Sequence, residues 1–193
     1  MVCVAVYCAS RHGDDPVFAA DARATGAALA RAGADVVYGG GHIGLMGEMA
    51  DAALAGGARV TGVITEQLRE AEIAHQGLHE LLVVPDMTAR KLAMSERADA
   101  FLALPGGVGT MEELFEVLCW GYLGLHPKPV GLLDTAGYYD HLLAFLRQSV
   151  ERGMTKARVL DLLRVDDDPA RLVWLLLDSV AGSDDRPTPG DRV

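Results

Sequence analysis

Two acidic residues directly follow a glycine-rich segment near the middle of the chain. The segment consists of Pro105, Gly106, Gly107, Val108, Gly109, Thr110 and Met111, and the acids are Glu112 and Glu113. An apolar run over residues 100–104 precedes it, and an amphipathic stretch from Met111 to about Leu123 follows. The pattern predicts a strand, a glycine turn and a helix N-terminus, where backbone N–H groups and the helix dipole bind anions. The adjacent acids favour chemistry on a phosphorylated ligand.

The role of Glu113 is open on local evidence. Thr110, followed three residues later by Glu113, matches a capping box, which would make Glu113 structural. Glu112, Glu113 and Glu116 also share a helix face that could simply be solvated. If Glu113 instead faces the ligand, the dipole at the helix N-terminus favours its ionised form. Such a carboxylate suits stabilising a developing cation or orienting water, and does not suit the proton-donating role found in ordinary glycosidases.

Arg90 and Lys91 lie near the start of a helix predicted over residues 88–98, with Thr88 as its N-cap. Cations at a helix start oppose the dipole, and local rules are often broken at functional sites. A guanidinium there could hold a phosphate or a substrate hydroxyl. The alternative is that both residues are surface charges.

An earlier glycine-rich loop, GGGHIGLMG over residues 39–47, follows the second predicted strand. Its spacing resembles a dinucleotide fingerprint, but no acidic residue stands at a clear strand end about 20 residues later, which disfavours NAD. Two interpretations remain: tight turn packing, or a wall of the ligand pocket formed by Gly40, Gly41 and Met46.

Metal and nucleophile motifs are not evident in the sequence. The six histidines show no zinc spacing beyond the loose pair His75 and His79, and no Walker or GxSxG motif is present. Cys119 lies in a hydrophobic run and is predicted to be in the core. We therefore expect neither a metal nor a cofactor.

Alternating strands and helices predict an α/β fold: a Rossmann-like, mostly parallel sheet with helices on both faces. The predicted strands are 2–7, 35–38, 59–64, 81–84, 100–104, 129–133 and 162–165, and the predicted helices are 16–33, 45–55, 88–98, 111–123, 138–151 and 169–179. Residues 65–80 are irregular, with at most one short helix. We expect a single domain over residues 1–180 and a disordered tail over 181–193, with ligands binding at the carboxyl ends of the strands.

Composition limits the partners. A net charge of -10 argues against nucleic acid, because phosphate backbones require basic surfaces. No apolar run approaches the roughly 20 residues of a membrane span, and the N-terminus lacks the basic region of a signal peptide. Three cysteines without a CxxC pattern fit a reducing cytoplasm. Apolar helix surface around Phe115, Leu118, Trp120 and Tyr122 suggests a homodimer.

The three motifs GGGHIGLMG, DMTARK and PGGVGTMEE, in this order, resemble those of the LONELY GUY family. The resemblance extends from Cys8 through Trp120 to Tyr139. Members of that family are cytokinin riboside 5′-monophosphate phosphoribohydrolases, many of them once labelled lysine decarboxylases. The resemblance implies hydrolysis of the N-glycosidic bond of an N6-substituted AMP, and of AMP itself, to a free base and ribose 5-phosphate. It implies no cofactor.

The resemblance also assigns residues. It implies that Arg90 and Glu113 are catalytic, and that the nucleotide contacts Arg90, Lys91, residues 106–112 and Glu72. Three positions depart from the usual family pattern and leave the base preference open: Thr88, His42 and Cys119.

The sequence also raises two other functions. A similar fold and glycine loops occur in molybdenum-cofactor carriers, which bind a phosphorylated pterin without turning it over. The combination of Arg90 and Glu113 favours the enzyme over such a carrier. Amino-acid decarboxylation is disfavoured, because it usually needs pyridoxal phosphate on a lysine, and only three lysines are present, of which Lys91 belongs to the DMTARK motif.

Overall fold

The computed structural model describes residues 1–71 and 73–183, over which strands and helices alternate. The strands are β1 Cys3–Tyr7, β2 Asp35–Tyr38, β3 Val60–Thr65, β4 Glu80–Val84, β5 Ala100–Ala103, β6 Val130–Leu133 and β7 Leu163–Asp166. The helices are α1 Pro16–Arg31, α2 Leu45–Ala55, α3 Glu66–Ala71, α4 Met87–Arg97, α5 Val108–Leu123, α6 Asp140–Glu151, α7 Arg158–Asp161 and α8 Pro169–Ser183.

The seven strands form one sheet in the order β4-β3-β2-β1-β5-β6-β7, and every neighbouring pair is parallel. Val4 of β1 is in register with Val36 of β2 on one side and with Ala100 of β5 on the other. The direction of winding therefore changes between β1 and β5. In open parallel sheets, a crevice at the carboxyl ends of the strands beside this change is the usual ligand site. The predicted α/β fold is confirmed.

Both faces of the sheet are covered, which explains why the central strands are apolar without alternation. Val4 and Val6 of β1 pack in one core with residues of α1, α2 and α8. Ala5 and Tyr7 point the other way, into a core with residues of α4, α5 and α6. The expected arrangement of helices on both faces is thus confirmed.

Two helix starts differ from prediction. Helix α5 begins at Val108 and has Gly107 at its N-cap, so Thr110 lies inside the first turn and the capping-box alternative for Glu113 is wrong. Helix α4 has Asp86 at its N-cap, whose carboxylate accepts the Ala89 N–H at 2.8 Å. Thr88 is therefore not the N-cap, because the acid two residues earlier already accepts a first-turn N–H.

The chain ends also refine the prediction. Helix α8 continues to Ser183, so residues 181–183 are helical and do not belong to the predicted tail. The remainder of that tail, residues 184–193, lies outside the described residues, as does Glu72. Helix α7 was not predicted. Over the part of the chain that the structure describes, no helix combines the length and apolar character needed to cross a membrane.

Candidate active site

A cavity of about 500 Å³ opens at the carboxyl ends of β1 and β5, where the winding of the sheet changes. Residues 8–14, which follow β1, form one side, and residues 105–110, which follow β5, form the opposite side. Arg90 of α4, Glu113 of α5 and Tyr138 complete the polar part of the lining. The cavity thus lies where the strand order predicts a ligand site.

The N-terminus of α5 forms part of the cavity wall. Its N-cap, Gly107, has no side chain to accept the first N–H groups of the helix, and these groups have no partner within a helix. Residues 107–110 line the cavity, so the helix start can bind an anion there. Gly106 is required by packing, since a Cβ at this position would lie 2.1 Å from Oγ1 of the buried Thr110.

Glu113 lines the same cavity and is only 7% exposed. Because α5 starts at Val108, Glu113 lies in the second helical turn and not in the first. The helix dipole acts mainly within the first turn. It therefore favours the ionised form of Glu113 less than the sequence suggested. Beside this carboxyl, burial and then the charge of Glu113 raise the pKa of Tyr7, which keeps that phenol neutral.

Arg90 is 4% exposed and lines the cavity from α4. Its Nε donates to the Val63 carbonyl at 2.9 Å, and its Nη2 donates to the Gly39 carbonyl at 2.9 Å. Two main-chain acceptors therefore fix the plane of the guanidinium. The alternative that Arg90 is a surface charge is wrong.

Lys91 is held by two carboxylates of α5. Its ammonium pairs with Glu112, and with Glu116 at 3.0 Å. The hydrogen bond with Glu112, followed by that with Glu116, raises the pKa of Lys91, so this side chain stays charged. The described residues that line the cavity do not include Lys91, Met111 or Glu112, and their contact with a ligand stays a prediction.

The first glycine loop serves both of the roles that the sequence left open. Leu45 and Met46 line the cavity, while their N–H groups donate to the carbonyls of Arg11 at 3.4 Å and Ala9 at 3.2 Å. Gly44 has a φ of +69°, and a Cβ there would lie 2.2 Å from the Arg11 nitrogen. The loop therefore holds the segment after β1 in place. Gly40 and Gly41 are not among the described lining residues.

Part of the lining was not predicted from the sequence. The segment Ser10–Asp14 was not predicted as a wall of the site, although it contributes Arg11 and His12. Its position directly after the central strand could have indicated this, since β1 adjoins the change of winding. Phe18 and Tyr138 were also missed; both come from distant parts of the chain, and no local pattern marks them.

A histidine cluster outside the cavity was missed as well. One ligand atom from each of His42, Asp51 and His75 lies within 4.8 Å of the others. The Gly77 N–H donates to Nδ1 of His75 at 3.0 Å, so the proton of the neutral ring is on Nε2, which lies 2.9 Å from Asp51. Both nitrogens are engaged, and this arrangement favours a role in fixing the loop over metal binding. His79 points elsewhere, accepting the Val60 N–H at 3.2 Å.

Two residues of α5 exchange their predicted environments. Cys119, predicted to be in the core, is exposed. Leu118, predicted to be on an apolar surface, is 3% exposed and packs in the core. Adjacent helix positions point about 100° apart, and the sequence did not fix the rotation of this largely apolar helix.

The family described as "Possible lysine decarboxylase" matches residues 46–176, which include the DMTARK and PGGVGTMEE motifs. The chain is also similar, over 97% and 81% of its length, to two relatives named cytokinin riboside 5′-monophosphate phosphoribohydrolases, the first of them as probable. The chain belongs to the LONELY GUY family. The resemblance identified from the three motifs is thereby confirmed.

Two relatives and one solved structure illustrate the range of this similarity. The LONELY GUY chain is 42% identical over 188 residues to the probable enzyme LOG4 of Oryza sativa subsp. japonica, covering 97% of this chain and 82% of the relative. It is 47% identical over 162 residues to the enzyme of Rhodococcoides fascians, covering 81% and 82%. The Moco carrier protein of Chlamydomonas reinhardtii shares the fold, with a TM-score of 0.71 at 19% identity over 94% of this chain and 98% of the carrier.

Proposed function

We propose that this protein hydrolyses the N-glycosidic bond of cytokinin riboside 5′-monophosphates, releasing the free base and ribose 5-phosphate. The observation that carries the proposal is that Glu113 and Arg90 line one cavity together with the glycine-rich start of α5. The relatives named above support the same activity. AMP is included as a second substrate on the family resemblance.

In the proposed reaction, the 5′-phosphate lies on the amides at residues 107–110. As the bond between C1′ and the base nitrogen breaks, its electron pair leaves with the base and the ribose gains oxocarbenium character. The ionised Glu113 stabilises that charge and orients the water whose oxygen bonds to C1′. The proton lost by the water balances the proton that the leaving base takes up. Arg90, fixed by two carbonyls, holds the nucleotide and balances charge on the departing base.

The outer contacts are also part of the proposal. We assign Lys91, Met111 and Glu112 to the nucleotide's surroundings on the α5 side, where the Lys91–Glu112 pair must open or turn to reach a ligand. Gly40 and Gly41 would support the wall from behind. Glu72, which lies outside the described residues, keeps its proposed contact with the ribose or phosphate on the family resemblance alone.

The test is chromatography of purified protein incubated with AMP and, separately, with isopentenyl-AMP. We expect release of free base and ribose 5-phosphate, faster from the prenylated nucleotide. Faster release from AMP would instead assign the protein as a general nucleoside monophosphate hydrolase. Absence of release from both, with a pterin chromophore bound to the purified protein, would instead favour a carrier of the kind that shares this fold.

We also propose a homodimer. Apolar side chains remain exposed on neighbouring parts of α4 and α5, with Leu92 49% exposed, Phe115 38% and Leu123 61%. Trp120 and Tyr122 on the same helix are half-buried, and apolar surface of this kind typically marks an interface. Light scattering should give twice the chain mass of 20.5 kDa, and Leu123→Glu should shift that mass toward one chain. A single-chain mass for the wild type would contradict the dimer.

For the compartment we propose a reducing cytoplasm. Cys3 is a thiol whose pKa is raised to about 11 by burial and by Asp35 and Asp99, so it is poorly reactive. Cys119 is an exposed thiol, and an exposed thiol is better preserved where glutathione keeps thiols reduced. Fractionation of the host cell, with blotting for the protein, tests this assignment.

A further inference from the structure

Tyr138 contacts the glycine-rich turn directly. Its hydroxyl donates to the Gly106 carbonyl oxygen at 2.7 Å, joining residues 32 positions apart in the chain. The side chain also lines the cavity. This is a direct contact between the segment after β6 and the segment proposed to hold phosphate.

The contact determines how one peptide unit is turned. In a trans peptide the C=O and the following N–H point in opposite directions. With the Gly106 oxygen held by Tyr138, the Gly107 N–H must point to the opposite side of that unit. Among the described residues, no group accepts the Gly107 N–H, and Gly107 is exposed at the cavity.

A peptide between two glycines is easily flipped, because neither residue has a Cβ to resist the change in its dihedral angles. Rotation of this unit by half a turn would exchange the N–H for a carbonyl oxygen. An oxygen at that place would repel an anion that the N–H would bind. The orientation of a single peptide therefore decides whether the turn attracts or repels phosphate.

The side chain of Tyr138 is 45% exposed, and neighbouring groups hold its backbone and one side of its ring. Its N–H donates to the Thr135 carbonyl at 3.1 Å, and the Thr135 hydroxyl donates to Asp21 of α1 at 2.7 Å. The ring packs edge-on against Phe18, with centroids 5.6 Å apart. Such support is typical of residues that position a binding group.

The turn that carries Tyr138 also contains a strained residue. Ala136 has a φ of +52°, a left-handed conformation that costs a residue with a Cβ roughly 1–2 kcal/mol. Backbone strain of this kind persists where the surrounding contacts enforce it, commonly at functional sites. The turn is thus fixed from several sides and is not a passive connection.

We propose that Tyr138 is a positioning residue that locks the Gly106–Gly107 peptide so that the Gly107 N–H faces the 5′-phosphate of the substrate. The inference rests on the proposed function for the identity of the anion. Tyr138 acts through the main chain of the turn, and no step of bond cleavage is assigned to it.

Tyr138→Phe tests the lock, because it removes the hydroxyl and keeps the ring that packs against Phe18. Loss of one hydrogen bond that orients a binding group should weaken the binding of ribose 5-phosphate about tenfold. In the turnover assay, KM for the nucleotide should rise by a similar factor with little change in kcat. The melting temperature should stay within a few degrees of the wild type.

Tyr122→Phe is the matched control. The Tyr122 oxygen accepts the Lys156 N–H at 3.4 Å near the other end of α5, so this variant loses a hydroxyl of the same type away from the cavity. It should bind ribose 5-phosphate like the wild type. If both variants lost affinity equally, the loss would not depend on the contact between Tyr138 and Gly106, and the lock would be wrong.

An NMR titration with ribose 5-phosphate separates this inference from the proposed function. The Gly107 amide resonance should shift on titration of the wild type and shift much less in Tyr138→Phe, whether or not any nucleotide is hydrolysed. Equal affinity and an equal Gly107 shift in the two proteins would overturn the lock, as would absence of binding by the wild type. Absence of turnover with intact binding would count only against the proposed hydrolysis.

Discussion

Replacement of Glu113 by glutamine should lower the turnover of a cytokinin riboside 5′-monophosphate about a thousandfold. Glutamine keeps the size of the side chain but removes the negative charge that would stabilise an oxocarbenium-like transition state and orient the attacking water. Because Glu113 lines the cavity, the effect should fall mainly on kcat. Initial rates measured by chromatography of the free base, together with the circular dichroism spectrum, provide the test.

Glu116→Gln serves as its control. Glu116 lies about one turn further along α5 and contributes one of two carboxylates around Lys91, so removing its charge should change the rate no more than a few-fold. Near-normal turnover by Glu113→Gln would mean that this buried carboxyl supports the fold alone. A thousandfold loss in both variants would mean that turnover depends on the total negative charge of α5 and not on Glu113 in particular.

Arg90→Lys should damage both activity and stability, in spite of the conserved charge. A lysine has one ammonium where arginine presents a planar fork, and it cannot satisfy the Val63 and Gly39 carbonyls together as Arg90 does. Leaving a buried acceptor unsatisfied costs about 1–3 kcal/mol. Urea denaturation should therefore show a free energy of unfolding lower by about 2 kcal/mol. Turnover should fall at least a hundredfold, by the loss of a positioned charged group.

Arg97→Lys controls for the substitution itself. Arg97 is exposed on the same helix, and its Nη1 donates to the Ala93 carbonyl at 3.1 Å. The same chemical change at this position should alter neither the midpoint of unfolding nor the rate by a measurable amount. If Arg90→Lys behaved like Arg97→Lys, the fixed guanidinium would have no role in the site.

Gly39→Ala disturbs the contact between Arg90 and Gly39 without changing Arg90 itself. A Cβ on Gly39 would lie 2.4 Å from Arg90 Nη2 and 3.2 Å from the Met46 Cε, so the guanidinium must move. The rate should fall at least tenfold, in the direction of Arg90→Lys. Gly182→Ala, where an added Cβ meets no atom within 4 Å, should leave the rate unchanged.

The architecture was predictable because it depends on patterns that are local and strong. Apolar runs bounded by glycine identified the strands, and their alternation with helices required a parallel sheet. The start of α5 was placed too late, because Gly106, Gly107 and Gly109 suggest a turn. In the structure Gly109 is already helical, in a position where the lack of a side chain leaves the helix start accessible.

The site itself was only partly predictable. Arg90, Glu113 and residues 106–110 were identified and are brought together, because motif residues at the ends of adjacent strands must converge. The ion pairs that hold Lys91 could not be foreseen, since they depend on the distance and rotation between α4 and α5. The hydrogen bond from Tyr138 to Gly106 could not be predicted either, because it also depends on how distant segments pack together. Local spacing carries no information about which distant hydroxyl meets which carbonyl.

The position of β1 has a consequence for how the protein acquires its site. The two walls of the cavity follow β1 and β5, which become neighbours only when Val4 meets Ala100. Pairing across so long a stretch of chain is slow, because loop closure precedes any gain from contacts. A ribosome must therefore have synthesised more than half of the polypeptide before any ligand can be bound. During refolding, the appearance of ribose 5-phosphate affinity marks the moment at which the two halves of the sheet join.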